Sequence, residues 1–110
     1  MKAILLSEWT MVPIQIDLDI DPKKNEIYDI LGGPATFIGQ LLGTDIVIIR
    51  AVDGGKKLNM HVLPFPFNME TVYGSILLVR MDENANHQDL MVEEYMRLRQ
   101  LPPDHTLLTS

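Results

Sequence analysis

The glycine pair in LGGPATFIGQ is the first stretch whose residue types could bind a phosphate. Gly32 and Gly33 are followed by Pro34 and a short apolar run. A phosphate loop follows a strand and leads into a helix, so that free amides and the positive helix end meet the anion. Here the predicted helix precedes the glycines, and no Lys-Ser/Thr pair follows them. The pattern therefore indicates a glycine cap at a helix C-terminus and no cofactor site.

The acidic stretch DLDID resembles the first half of a calcium-binding loop. An EF-hand loop requires glycine at its sixth position and glutamate at its twelfth, where this chain has Pro22 and Tyr28. Alternation gives a simpler interpretation, in which Asp17 and Asp19 lie on the solvent face of a strand and Asp21 caps a helix. We predict no metal site from this row.

The histidines and serines suggest no catalytic group. His61, His87 and His105 are too far apart for zinc-ligand spacing, and the chain has no cysteine. Ser75 in YGSIL lacks the second glycine of a nucleophile elbow. We predict a surface position for His61, on the polar face of a strand together with Lys57 and Asn59, opposite the apolar face formed by Leu58, Met60 and Val62. The sequence thus predicts no catalytic residue and favours a non-enzymatic protein.

Composition limits the classes of partner. The chain has 110 residues, 46% of them hydrophobic, and a net charge of -6. This acidic balance argues against direct binding of nucleic acid or of an anionic membrane. The N-terminal stretch MKAILLSEW has too few consecutive apolar residues for a signal peptide. We expect an intracellular protein with one domain at 1–100 and a mobile tail at 101–110.

Periodicity predicts the elements that must position these residues. In the strict alternation from Val12 to Asp21, we expect Val12, Ile14, Ile16, Leu18 and Ile20 to face the core. The run ILLV indicates a central strand that is covered on both faces, and DENANHQD a polar loop. Asp53-Gly54-Gly55 is a hairpin signal. The predicted elements are strands at 3–6 and 12–21, a helix from 21–22 to 31, strands at 35–42, 45–52, 56–62 and 74–81, and a helix from 90 or 92 to 100.

These elements favour an α+β domain. We expect a curved, mostly antiparallel sheet of five to six strands with one or two helices packed on it.

The LPFPF loop has two interpretations. Two prolines hold its backbone extended, and exposed phenylalanines there would form an apolar contact patch for a protein partner. Alternatively, the phenylalanines fold back onto the core, which is the commoner behaviour of this residue type. The residues of this candidate contact loop are Leu63, Pro64, Phe65, Pro66 and Phe67.

Four segments carry a family resemblance: ILGGPATFIGQ (30–40), NMHVLPFPFN (59–68), GSILLVRMDEN (74–84) and EEY (93–95). Together they resemble an uncharacterised domain family of large DNA viruses of algae and protists, and similar small domains of unknown function occur in phages. The resemblance implies a viral or virus-like origin and no particular reaction. It also draws attention to five polar positions as a candidate site: Asn59, His61, Arg80, Asp82 and Glu83.

Three functional hypotheses follow. The first is a viral or virus-like accessory protein that acts through protein contacts, in the virion or on host machinery in the cytoplasm or nucleus, with homodimer formation left open. The second is a small enzyme or ligand binder around His61, which requires the five polar positions to converge. The third is an acidic nucleic-acid mimic. It requires one patch of carboxylates from Asp17, Asp19, Asp82, Glu83, Glu93 and Glu94.

Overall fold

The computed structural model describes residues 1–19, 21, 23–41, 43–53, 57–84 and 86–99. The strands in this part of the chain form one antiparallel sheet in the order β2-β1-β5-β4-β3, and β6 pairs with β5 beyond the start of β1. This is the predicted α+β fold. Its elements are β1 (Lys2–Leu6), β2 (Ile14–Asp17), α1 (Glu26–Leu31), β3 (Ala35–Gln40), β4 (Ile46–Ala51), β5 (Ile76–Met81), β6 (His87–Gln88) and α2 (Val92–Arg99).

Strand β5 is the centre of the sheet, as its continuous apolar run predicts. Its residues from Ile76 to Val79 are all buried. Ile76 and Leu78 pack into one cluster, which includes Tyr95 of α2. Leu77 and Val79 pack into another cluster on the opposite face, which α1 covers. The alternating directions of strand side chains therefore give the sheet two apolar faces, each covered by one helix.

The glycine cap is confirmed. Gly32 adopts the left-handed conformation with φ 77°, and α1 ends there. The amides of Gly32 and Gly33 both donate to the Tyr28 carbonyl, at 2.8 and 3.0 Å. Because the helix end already uses both N–H groups, they do not form a phosphate cradle.

The predicted start of this helix was wrong. Helix α1 begins at Glu26, after Asn25 in the left-handed conformation. The Asp21 carboxylate instead accepts the Lys23 amide at 3.0 Å, and the Asp21 carbonyl accepts the Lys24 amide at 2.9 Å. Asp21 therefore closes a turn before the helix, which is a common alternative use of this side chain.

The strand predicted at 12–21 is shorter than its alternation suggests. Among the described strands, β2 pairs only with β1 and lies at the sheet edge. Leu18 is buried and Ile16 is half-buried, but Val12 and Ile14 are exposed, contrary to the prediction. Ser7 to Pro13 connect the two strands across the end of the sheet, so the strand pattern does not govern that stretch.

Two other expectations changed. Residues 57–62 do not form the predicted strand. Their described β-pairing is one isolated antiparallel bridge between Leu58 and Tyr73. In the stretch predicted as a polar loop, His87 and Gln88 form β6. The hairpin turn predicted at Gly54 and Gly55, Lys56 and the predicted tail at 101–110 lie outside the described residues.

Candidate functional site

Asn59 is a buried structural clamp at one end of the sheet. Only 7% of its surface is exposed. Its amide nitrogen donates to the carbonyls of Leu6 and Gly74, at 2.8 and 2.9 Å. Its amide oxygen accepts the backbone N–H of His61 at 2.9 Å. One side chain thus ties the end of β1, the approach to β5 and the 57–63 segment together.

His61 is also buried, and the surface position predicted for it was wrong. Its Nε2 lies 2.7 Å from the Thr10 carbonyl oxygen, so Nε2 carries the proton and donates. Burial lowers the pKa of His61 below its ordinary value of 6.5, and the positive charge of Arg99 acts in the same direction. Hydrogen bonds with the backbone of Thr10 and Ser7 oppose the shift. The neutral imidazole thus holds the connection between β1 and β2 against the 57–63 segment.

The alternation in this segment is real, but its faces are inverted. Asn59, His61 and Leu63 point inward, whereas Met60 and Val62 are exposed. The physical reason lies in the neighbouring backbone. Buried carbonyls need hydrogen-bond donors, and here the side chains of Asn59 and His61 supply them to Leu6, Gly74 and Thr10. The apolar side chains are therefore turned toward solvent.

Arg80 lies at the opposite end of β5 and joins α2 to the sheet. Its Nε donates to Asp45 at 2.8 Å, and its two terminal nitrogens bind the carboxylate of Glu94. Hydrogen bonding to Glu94 raises the pKa of Arg80, and Asp45 adds to this effect. A fork-shaped contact of this kind fixes the orientation of a helix as well as its distance.

Asp82 organises the loop before β6. Its carboxylate accepts the backbone amides of Asn84 and Asn86, each at 2.9 Å. These bonds, with that of Asn86 the largest contribution, lower the pKa of Asp82 below its ordinary value. Glu83 is exposed beside it. Both carboxylates therefore belong to the loop that leads to β6.

The five polar candidates do not converge. Asn59 binds the carbonyl of Gly74, just before β5, and Arg80 lies near the end of the same strand. Six residues of extended chain at about 3.3 Å each separate these positions by roughly 20 Å. The structure brings Asn59 and His61 together at one end, and Arg80 and Asp82 at the other.

The LPFPF loop divides between the two interpretations. Leu63 is buried, and Phe67 packs against the core cluster that contains Tyr95. The ring of Phe67 occupies the space that a β-carbon on Gly39 would need. Phe65 is exposed. Leu63 and Phe67 therefore pack with the core, whereas Phe65 and Pro66 are exposed to solvent.

Several carboxylates proposed for a nucleic-acid mimic are paired with cations. Asp17 lies 2.6 Å from Lys2, and Asp19 lies 2.6 Å from Lys24. Glu94 is bound by Arg80. This pairing neutralises part of the charge that such a mimic would present.

Exposed apolar side chains lie along the inverted segment, on the connection between β1 and β2, and at Tyr73. The Lys57 ammonium lies 5.2 Å from the centre of the Trp9 ring. The hydrogen bond between His61 and the Thr10 carbonyl holds the chain at Met11 and Val12 near the same segment. Tyr73 faces Leu58 across the bridge. We call this surface the Trp9 face. It consists of the exposed residues Trp9, Met11, Val12, Leu58, Met60, Val62 and Tyr73.

Sequence reasoning missed this face because it assigned Val12, Leu58, Met60 and Val62 to the buried side of strands. One available signal was the alternation of Asn59 and His61 with apolar residues, since either side of such a segment can face inward.

A small groove lies at the other edge of the sheet. Its volume is about 260 Å³, and its walls include Phe37 of β3, Arg50 of β4, Glu70 and Thr71. Arg50 and Glu70 carry opposite charges, so the groove has no dominant sign. Among the described residues, no group of three or more His, Asp or Glu side chains is placed to hold a metal ion.

The chemistry around His61 is structural. Its Nε2 is used by a backbone carbonyl, and the hydroxyl of Ser75 donates to Glu8 at 3.1 Å. No helix in the described part of the chain has the length and apolar character needed to cross a membrane.

Comparison with known proteins gives a family but no activity. No curated protein and no solved structure matches the chain. A profile of a family of unknown function, DUF5880, matches residues 4–98. The match includes most of β1, the other strands of the sheet, the Trp9 face and most of α2. The chain therefore belongs to the DUF5880 family of unknown function.

Proposed function

We propose that this protein is a non-enzymatic protein-interaction module whose contact surface is the Trp9 face. The size of the face carries the proposal. Its seven residues are between 39% and 74% exposed. At about 200 Å² for each aromatic side chain, Trp9 and Tyr73 alone expose roughly 240 Å², and five exposed aliphatic side chains add to this. The largest apolar patch on a typical monomer covers about 300–600 Å² and is often functional.

The construction of the face supports the same proposal. Burying Asn59 and His61 requires hydrogen bonds for each polar group, whereas burying Met60 and Val62 would gain hydrophobic free energy directly. The chain nevertheless places the polar pair inside and the apolar pair outside. Such a departure from the simple burial pattern is expected where a surface serves binding.

The two buried polar side chains give the face its shape. Asn59 fixes the 57–63 segment to the sheet, and His61 fixes the backbone at Thr10, next to Trp9 and Met11. A contact surface held in place before binding loses less conformational entropy when its partner arrives. We therefore assign positioning roles to Asn59 and His61.

The setting of this module is a further part of the proposal. The sequence resemblance to domains of large DNA viruses favours an accessory protein that acts in the virion or on host machinery. That part rests on the four segments that carry the resemblance and stays a prediction. Isolation of virions or infected cells that contain the protein is its direct test.

A site-specific photo-cross-linker tests the contact surface. It would replace Met60, on the Trp9 face, in the full chain produced in its native cells. The matched control carries the same group at Met96, an exposed methionine of α2. We expect a discrete protein adduct from position 60, identifiable by mass spectrometry, and none of the same composition from position 96.

Two outcomes contradict the proposed function. One is the absence of any protein adduct at position 60. The other is an identical set of adducts at both positions, which would indicate random collisions rather than a defined interface.

A further inference from the structure

We propose that His61 is a pH-sensitive latch, and that protonation of its imidazole releases the connection between β1 and β2, residues 7–13. The latch is a moving part of the fold and does not depend on what the Trp9 face binds. Only 8% of the His61 surface is exposed. Its Nε2 donates to the Thr10 carbonyl at 2.7 Å, so the side chain holds the middle of the connection from inside the protein.

The base of the latch is fixed to the sheet. The backbone N–H of His61 donates to the Asn59 amide oxygen at 2.9 Å. The amide nitrogen of Asn59 donates in turn to the carbonyls of Leu6 and Gly74. Because all three of these hydrogen bonds are buried, the side of the latch that can open is the one at Thr10.

The connection is weakly held by its own side chains. Trp9, Met11 and Val12 are 74%, 63% and 68% exposed, so they bury little apolar surface. The backbone amides of Trp9 and Thr10 donate to Ser7, within the connection itself. A segment with few buried apolar contacts opens at a lower free energy than the whole domain unfolds.

Two other polar contacts join the connection to the rest of the described chain. The hydroxyl of Ser75 donates to the Glu8 carboxylate at 3.1 Å, in a partly buried position. The Lys57 ammonium lies 5.2 Å from the centre of the Trp9 ring, and Lys57 is exposed. Neither contact involves the imidazole, so the bond between His61 and Thr10 is the part of the attachment that responds to protonation of His61.

The surroundings of His61 determine the direction of the response. The charged and titratable side chains on the elements packed around it are Glu8, Lys57, Tyr95 and Arg99. Burial, and next to it the positive charge of Arg99, lower the pKa of His61, whereas the backbone of Thr10 and Ser7 opposes this shift. Burial raises the pKa of Tyr95 to about 12, so its hydroxyl stays neutral in this pH range. An imidazolium is therefore disfavoured while the connection covers it and favoured once water reaches it.

The pH range follows from this difference. The released imidazole has the ordinary pKa of 6.5, and the covered imidazole has a lower one. The latch is therefore fully effective above pH 6.5 and weakens as the pH falls toward the pKa of the covered form. Release takes up one proton, so the ratio of released to latched chains rises at most about tenfold per pH unit over this interval.

Fluorine NMR on the full chain tests the latch. The chain has one tryptophan, so 5-fluorotryptophan places a single reporter at Trp9 in the connection. Saturation-transfer spectra detect minor conformers that exchange on the millisecond timescale. We expect the released population to grow as the pH is lowered from about 7.5 to about 4.5, while far-UV circular dichroism stays constant because the sheet remains folded.

Three variants isolate the imidazole. His61→Gln keeps a donor for the Thr10 carbonyl but takes up no proton, so its released population should not change with pH. His87→Gln makes the same replacement on β6, at the other end of β5, and should respond like the wild type. Glu8→Gln removes the carboxylate of the connection and should also keep the response.

The proposal is overturned by a released population that is constant over the pH range, by a wild-type response in His61→Gln, or by loss of the response in either control variant. Loss of circular dichroism in step with the fluorine signal also overturns it, because the whole domain would then be unfolding. If His61→Gln does not fold, the ring-proton resonance of His61 in the wild type decides. Its titration midpoint must coincide with that of the fluorine signal, and different midpoints exclude the latch.

Discussion

Removal of the Asn59 amide is the sharpest test of how the Trp9 face is built. In Asn59→Ala, the carbonyls of Leu6 and Gly74 and the amide of His61 lose partners that now lie 2.8, 2.9 and 2.9 Å away. Each lost hydrogen bond costs about 1 kcal/mol, and up to about 3 kcal/mol where the remaining group stays buried. The three bonds together predict a loss of about 3–5 kcal/mol.

This loss is large relative to the whole free energy of unfolding. Domains of this size unfold with a free energy of about 5–15 kcal/mol. Since about 1 kcal/mol shifts the melting temperature of a small domain by about 4–8 °C, we expect a fall of at least about 12 °C. Urea unfolding followed by circular dichroism gives the free energy, and a thermal scan gives the melting temperature.

Asn84→Ala is the matched control. Asn84 is exposed, and its backbone amide, not its side chain, is used by Asp82. Its replacement should change the unfolding free energy by less than about 0.5 kcal/mol. Asn59→Asp is a second test, because it keeps the volume but places a carboxylate against two carbonyl oxygens, so it should destabilise at least as strongly as alanine. If Asn59→Ala unfolds within about 0.5 kcal/mol of the wild type, the clamp is not a stabilising element and our reasoning fails.

Three other predictions concern the interior. The Tyr95 hydroxyl is buried and has no hydrogen-bond partner among the described residues, and burial raises its pKa to about 12. Tyr95→Phe should therefore increase the free energy of unfolding by up to about 1 kcal/mol, and a decrease would reveal a partner for the hydroxyl. The lowered pKa of His61 means that the unfolded chain binds its proton more readily, so this contribution to stability is complete above pH 6.5 and is lost as the pH falls toward the folded pKa. Unfolding free energies between about pH 7.5 and 5.5 should decline less in His61→Gln, and equal slopes would exclude this role. A β-carbon at Gly39 would overlap the Phe67 ring, so Gly39→Ala should destabilise by about 1–3 kcal/mol, and Phe67→Leu should relieve part of that loss. In a double-mutant cycle, strictly additive effects of these two changes would contradict the contact.

The elements that sequence reasoning identified are those with local causes. The apolar run from Ile76 to Val79 predicts a strand buried on both faces because each side chain in it is apolar, whichever way it points. Gly32 and Gly33 end α1 because the left-handed conformation is accessible to glycine without steric cost. The hairpin of β3 and β4 and the position of α2 also follow from short-range patterns. These features require no knowledge of distant residues.

The orientation of the 57–63 segment was decided by the tertiary structure. Its alternation is the same whichever side is buried, so the sequence fixes two faces but does not choose between them. The choice depends on carbonyl groups of Leu6 and Thr10, more than 50 residues away in the chain, which require donors from Asn59 and His61. The pattern of these seven residues contains no information about hydrogen-bond acceptors elsewhere in the chain.

The candidate site follows the same division. The sequence alone determined that the chain lacks cysteine and carries no recognisable catalytic motif, and it marked Asn59 and His61 as polar residues of interest. Only the folded structure separated them from Arg80 and Asp82, because β5 places the two pairs at its opposite ends. The folded structure also places Trp9 beside Lys57. Hydrogen bonds between distant segments determine which side chains of the 57–63 segment are buried, and the sequence pattern does not show those bonds.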